Sequence, residues 1–115
     1  MQRKPLIWVG SAQAEIARFP EEARRQAGFE LDQVQQGRMP SDWKPMPSVG
    51  LGVSEIRVHA ACEYRVLYVA RFREAVYVLH AFEKKTQQTP KRNLETARVR
   101  FSLLVAIRTR GKDRS

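Results

Sequence analysis

Cysteine, histidine, acidic residues and long apolar runs are all scarce in this sequence, and each scarcity narrows what the chain can be. Cys62 is the single cysteine, so no internal disulfide and no cysteine-based zinc site can form. A lone thiol with no base argued beside it reads as a small apolar residue near a turn. The longest apolar runs, Val66 to Ala70 and Ala75 to Leu79, are far short of the roughly 20 residues of a membrane span. Met1-Gln2-Arg3-Lys4 leads into no signal-peptide apolar stretch, so the expectation is a cytoplasmic protein with no membrane partner. No cofactor and no metal is expected from any motif.

Negative charge is short as well: 12 Asp+Glu stand against 21 Lys+Arg, a formal net charge of +9 on 115 residues. With 43% hydrophobic residues, that charge sits on a folded surface rather than on a disordered tail. The length suits one domain. Eight of the cations fall in residues 91–115 against two acids, a local excess of +6. Such a cluster points to a polyanion, either nucleic acid or an acidic protein.

Leu6-Ile7-Trp8-Val9 reads as a first strand, ended by Gly10 with Ser11 as a helix N-cap. Ile16, Phe19, Ala23, Ala27, Leu31 and Val34 recur at spacings of three and four, which predicts two helical segments broken at Pro20 and stopped at Gly37. Residues 37–52 hold three prolines and three glycines and read as a long connection anchored by Trp43. Val53 to His59, Tyr64 to Ala70 and Ala75 to Phe82 read as an antiparallel meander. Thr89-Pro90 then opens a last helix with an apolar stripe of Leu94, Ala97, Phe101, Leu104 and Val105. The expected fold is α+β: a small antiparallel sheet, an N-terminal strand plus a three-stranded meander, with two N-terminal helices and one C-terminal helix. One domain over 1–107 is expected, with 108–115 a frayed basic tail.

Antiparallel partners have residue numbers of constant sum, so the hairpins can be put in register. Val58 opposite Tyr64 places Arg57 against Arg65. Ala70 opposite Ala75 places Arg65 against His80. Alternation then puts Arg57, Arg65, His80, Glu55, His59 and Phe82 on one face, and Ile56, Val58, Tyr64, Val66, Tyr68, Tyr77 and Leu79 on the core face. Facing arginines need an anion between them. Glu55 or Glu63 would serve in a solvated lattice; a phosphate would serve equally, bound by the planar guanidinium groups. Beyond Phe82, the run Glu83-Lys84-Lys85-Thr86-Gln87-Gln88-Thr89-Pro90 brings lysines and polar donors to a helix N-terminus, an anion-binding environment. Phe82 beside it could stack a base.

The run Gly52-Val53-Ser54-Glu55-Ile56-Arg57-Val58, then Tyr64-Arg65-Val66-Leu67-Tyr68, then Leu79-His80-Ala81-Phe82-Glu83-Lys84-Lys85-Thr86-Gln87-Gln88-Thr89-Pro90, resembles the phage-derived HigB-like branch of the RelE/ParE toxin superfamily. The resemblance implies a RelE-like fold and the toxin of a type II toxin–antitoxin system, an endoribonuclease that cuts messenger RNA on the ribosome. It also implies a cognate antitoxin with a helix-turn-helix domain, joined with the toxin in a heterotetramer. By motif position Arg57, Arg65, Lys84 and Lys85 match catalytic or RNA-contacting cations, and His80 lies in the same motif. Metal-independent attack by the 2′-hydroxyl needs a proton acceptor, cations for the phosphorane and a donor for the leaving oxygen. His80 is the first choice for acceptor and Glu55 the second. Arg57 and Arg65 would stabilise the phosphate, Lys84 or Lys85 would position the backbone or protonate the leaving oxygen, and Phe82, Lys91, Arg92 and Arg98 would bind RNA. Thr89, Pro90 and Lys91 stand where some RelE toxins carry a tyrosine. A gyrase-directed, ParE-like toxin and a non-catalytic basic module that binds nucleic acid or an acidic protein are the alternatives.

Overall fold

A computed structural model describes residues 3–113. The elements run β1 (Leu6–Trp8), α1 (Ala12–Ala17), α2 (Glu21–Gln35), β2 (Trp43–Pro45), β3 (Val53–His59), β4 (Glu63–Val69), β5 (Val76–Lys84) and α3 (Lys91–Asp113). The fold is α+β, with a five-stranded, mostly antiparallel sheet in the order β1-β5-β4-β3-β2. Two helices precede the meander and one follows it. No helix among the described residues is long and apolar enough to cross a membrane.

α1 and α2 cover one face of the sheet. Their apolar positions, Ala12, Ile16, Phe19, Ala23, Ala27, Leu31 and Val34, pack on Ile56, Val58, Tyr64, Val66, Tyr68, Val76 and Val78, the spacing of three and four keeping one stripe toward the sheet. Pro20 stands at the N-cap of α2, and Gly37 ends the helix in the left-handed region at φ 83°. Ser11 precedes α1 without capping it; its hydroxyl donates to Glu15 Oε2 at 3.1 Å.

Four features depart from the sequence expectation. β1 pairs with β5 in parallel, Ile7 opposite Tyr77, because the chain crosses through both helices and the loop before β5 returns to it. The connection after α2 contains the edge strand β2, where Pro45 removes a donor that no inner ladder needs. Trp43 is 37% exposed, and the buried Met46 and Val49 anchor this segment instead. α3 continues through Asp113, so residues 108–113 are helical. Arg108 holds that end by donating to Glu74 at 2.7 and 3.2 Å and lying 3.7 Å over the Phe72 ring.

The fourth departure concerns register. β3 and β4 pair as expected, Val58 with Tyr64 and Arg57 with Arg65. β4 and β5 do not: Arg65 faces Phe82 and Leu67 faces His80, with an irregularity at Leu67/Tyr68 beyond which Tyr68 faces Val78. This bulge inserts one residue into β5 and exchanges its faces. Tyr77 and Leu79 therefore join Val53, Leu67 and Val69 in a second core beneath Ala97 and Leu104 of α3. The sheet is covered on both faces rather than one.

Candidate functional site

α3 covers only part of its face of the sheet. Beyond its N-terminus the alternation of β3, β4 and β5 sets side chains in two adjacent rows, Arg57-Arg65-Phe82 and His59-Glu63-Lys84, all polar but Phe82, in which neighbours are paired residues. Glu55 lies one step toward α3, with Lys44 of β2 as its cross-strand partner. Glu63, Arg65, Lys84, Lys85, Thr86 and Gln87 line an open cleft of about 400 Å³ here.

Glu55 is 1% exposed and lies 3.7 Å from both Arg57 Nε and Arg65 Nε. Those separations are too long for hydrogen bonds. Both oxygens of Glu55, Arg57 Nε and Arg65 Nε are buried with no hydrogen-bond partner. Arg65 is itself buried and donates through Nη1 to Glu63 Oε1 at 3.1 Å and to the Tyr64 carbonyl at 3.0 Å. Burial and the positive charges of Arg65, Lys44 and Arg57 lower the Lys84 ammonium from its ordinary value, with Glu55 opposing them. The cleft thus holds cations in excess, and one of them gives up its proton more readily than a free lysine.

A second, half-buried carboxylate lies on the far side of Phe82. Glu15 of α1 accepts from Arg100 through both oxygens at 2.9 Å, from the Ala81 amide at 3.1 Å, and from His80 Nδ1 at 2.8 Å. Burial alone would raise its carboxyl, but the bonds from His80 and Arg100 hold it well below the usual carboxylate range. Arg100 also donates to the Leu79 carbonyl and to Ser11 Oγ. A Cβ on Gly10 would stand 2.7 Å from Arg100 Nε, and Gly10 has φ +59°, so this position needs glycine on both counts.

His80 is part of that second cluster and not of the cleft. Its Nδ1 is taken by Glu15 and its Nε2 lies 2.7 Å from Asn93 Oδ1, so neither ring nitrogen faces the arginine rows. Its ring stacks on Phe82 at 5.3 Å. Phe82, itself buried, borders a cavity of about 450 Å³ with Lys85, Thr86, Pro90 and Arg92. The other expected contacts divide. Arg92 and Lys85 are exposed beside the cleft, Lys91 is exposed at the first position of α3, and Arg98 is turned away, donating to the Ser48 carbonyl at 2.8 Å.

His59, on the Arg57 and Arg65 face as alternation predicts, stands in the row with Glu63 and Lys84 and has both nitrogens on carboxylates. Nε2 is 2.6 Å from Asp42 Oδ2 and Nδ1 is 2.8 Å from Glu63 Oε2. The hydrogen bonds to Asp42 and then Glu63 raise its pKa above 6.5, and the bond from His59 correspondingly lowers the Glu63 carboxyl. Sequence reasoning missed Arg100 and Asp42 altogether. Their partners lie 85 and 17 positions away, and no local spacing signals such pairs.

The family model described as "Phage derived protein Gp49-like (DUF891)" matches residues 14–102. That range contains α2, all of β2 to β5, and both Glu15 with Arg100 and His80 and Glu55 with Arg57 and Arg65, while Ser11 lies just before it. No curated protein matches the chain.

Proposed function

The chain belongs to the Gp49-like family of phage-derived proteins, and from that premise we propose that it is the toxin of a type II toxin–antitoxin pair, of the HigB-like kind. It acts in the cytoplasm as an endoribonuclease on messenger RNA held by the ribosome. The observation that carries this reading is the open cluster: Arg65, Lys84 and Lys85 line a cleft, Arg57 pairs with Arg65 beside it, and buried polar atoms are left without partners. Such atoms are costly unless something completes them. A scissile phosphate supplies acceptor oxygens for Arg57 and Arg65 in bidentate geometry.

In this reading the 2′-hydroxyl attacks the adjacent phosphorus and the 5′-oxygen leaves, giving a 2′,3′-cyclic phosphate and a 5′-hydroxyl end. Glu55, the sequence's second choice after His80, accepts the 2′-hydroxyl proton once the bound phosphate draws the Arg57 and Arg65 side chains away from it, since both its oxygens are buried in the free protein. Lys84, its pKa lowered by burial and neighbouring cations, donates a proton to the leaving oxygen. Arg57 and Arg65 stabilise the charge that develops on phosphorus. Lys85 and Arg92 hold the flanking backbone, and His80 fixes the Phe82 ring from behind. A helix-turn-helix antitoxin restrains the toxin in a heterotetramer.

Induction of the gene in growing cells tests this directly. Translation should stop and messenger RNA should be cut within reading frames, while Arg65→Ala with Lys84→Ala should permit growth at wild-type protein levels. DNA damage without cut messages would support a gyrase-directed toxin. Salt-sensitive RNA binding without cleavage, falling about 0.7 log units per log unit of salt for each phosphate contacted, would support a non-catalytic module.

A further inference from the structure

α3 has 23 residues and two apolar stripes. One, with Ala97 and Leu104, is buried on the sheet. The other consists of Val99, Leu103 and Ile107, 65%, 51% and 56% exposed. Their spacing of four places them along one side of the helix. At its C-terminal end this stripe meets Ile7, Trp8 and Tyr77 across a groove of about 340 Å³. Ile7 is 42% exposed, and β1 is the outer strand of the sheet. Scattered apolar residues are ordinary on a surface, but a stripe continuous with a groove marks a docking site.

The surrounding charge identifies the kind of occupant. Residues 91–115 carry an excess of +6, and between 91 and 111 the only acid is Glu95, which faces Arg98. Arg110 lies seven positions, about two turns, beyond Leu103 on the same side and forms no ion pair among the described residues. A second copy would bring two such cationic helices together, which like-charge repulsion opposes. RNA would satisfy the arginines but leaves Val99, Leu103 and Ile107 without a reason to be apolar.

We infer that the exposed stripe of α3 and the groove beside β1 form a docking surface for an acidic amphipathic helix of another protein. Its apolar residues at i, i+4 and i+8 seat on Val99, Leu103 and Ile107, and its carboxylates meet Arg110 and the basic rim. The surface is separate from the phosphate cleft and stands or falls independently of the nuclease reading.

The test uses the whole protein, immobilised, and a displayed library of random peptides about 16 residues long, roughly four helical turns. Enriched peptides should carry apolar residues at helical spacing among Asp and Glu. Their affinity should weaken at least about tenfold on Leu103→Glu with Ile107→Glu, and also on Arg110→Glu. These positions are exposed, so circular dichroism and thermal unfolding should match wild type. Ser102→Glu, an exposed neighbour on another side of the helix, should leave binding intact. Enrichment of basic or unpatterned peptides, no enrichment, or equal binding by the double variant overturns the proposal. So does a concentration-dependent dimer abolished by Leu103→Glu, or RNA binding at this surface that is indifferent to Leu103 and Ile107.

Discussion

Two carboxylates lie beside arginine, the half-buried Glu15 and the buried Glu55, and they are built in opposite ways. Glu15 receives bonds from Arg100, His80 and the Ala81 amide, all at 2.8 to 3.1 Å. Glu55, nearly inaccessible, lies between Arg57 and Arg65 at 3.7 Å with both oxygens unpartnered. The first cluster is closed. It ties α1, α3 and β5 into one body and has no capacity left for a ligand. The second is open: Arg65 Nη1 is held by Glu63 and the Tyr64 carbonyl, but both Glu55 oxygens and the two Nε groups have no partner within the protein. A buried ion pair with poor geometry contributes little to stability, so its presence is better explained by what it binds than by what it holds together.

The sharpest way to break this contrast is to replace each pair by apolar residues. Glu15→Leu with Arg100→Met should destabilise the fold by at least about 3 kcal/mol, because His80, the Ala81 amide and the Leu79 carbonyl are left buried without partners. Glu55→Leu with Arg65→Met should change stability by less than about 1 kcal/mol or increase it. Urea unfolding of the two double variants measures both. Equal losses would mean that the clusters are not different in kind.

A comparable effect in activity should fall on the other cluster. Arg65→Ala should lower cleavage of ribosome-bound message by at least about 10²-fold, the usual cost of removing one donor to a developing negative charge. His80→Gln should act through folding, reducing thermal stability in step with any loss of activity. A His80→Gln variant with wild-type stability and a pH profile that has lost one limb would return His80 to the chemistry.

A smaller effect separates the two faces of the α3 junction. A Cβ on Gly50 would press into the Phe101 ring. Gly50→Ala should therefore cost about 1–3 kcal/mol, as overpacking does, with cleavage kinetics unchanged in the folded fraction. Differential scanning calorimetry beside an initial-rate assay would show the two separately.

The least perturbing probe is the titration of His59 by NMR. Its pKa is raised by the bonds to Asp42 and Glu63. Its contacts are therefore complete below pH 6.5 and are lost as pH rises through the elevated value. Glu63 is lowered, so its contribution is present above pH 4.5 and is lost as pH falls through the depressed value. Glu63→Gln should move the His59 midpoint downward while leaving it above 6.5, since Asp42 remains. A midpoint at or below 6.5 in the wild type would show that the two carboxylates do not hold the ring.

How much of this could be read in the residues depends on range. The β3–β4 register was legible because two seven-residue strands alternate without interruption between His59 and Glu63. The β4–β5 register was not, because the bulge at Leu67/Tyr68 depends on fitting Val76 and Val78 under α1 and α2 while Tyr77 and Leu79 meet α3. β2 was hidden by Pro45, which marks a turn in most contexts and is tolerated here only at an edge. The helical end of α3 was hidden because Arg108 is secured by Glu74 and Phe72, a tertiary arrangement. In the candidate site, the placement of Arg57, Arg65 and Phe82 on one face followed from alternation, whereas Lys84, read as lying beyond the strand, ends β5 opposite Glu63. The removal of His80 from that site did not, since Glu15, Asn93 and Arg100 reach it from two other elements.

The central claim is that the open cluster, and not the closed one, meets the scissile phosphate. Single-turnover cleavage of a defined message on programmed ribosomes, with Glu55→Leu/Arg65→Met set beside wild type at matched stability, tests it most directly. Wild type should produce 2′,3′-cyclic phosphate and 5′-hydroxyl ends, and the folded double variant should produce none. Cleavage by that variant at the wild-type rate would contradict the account.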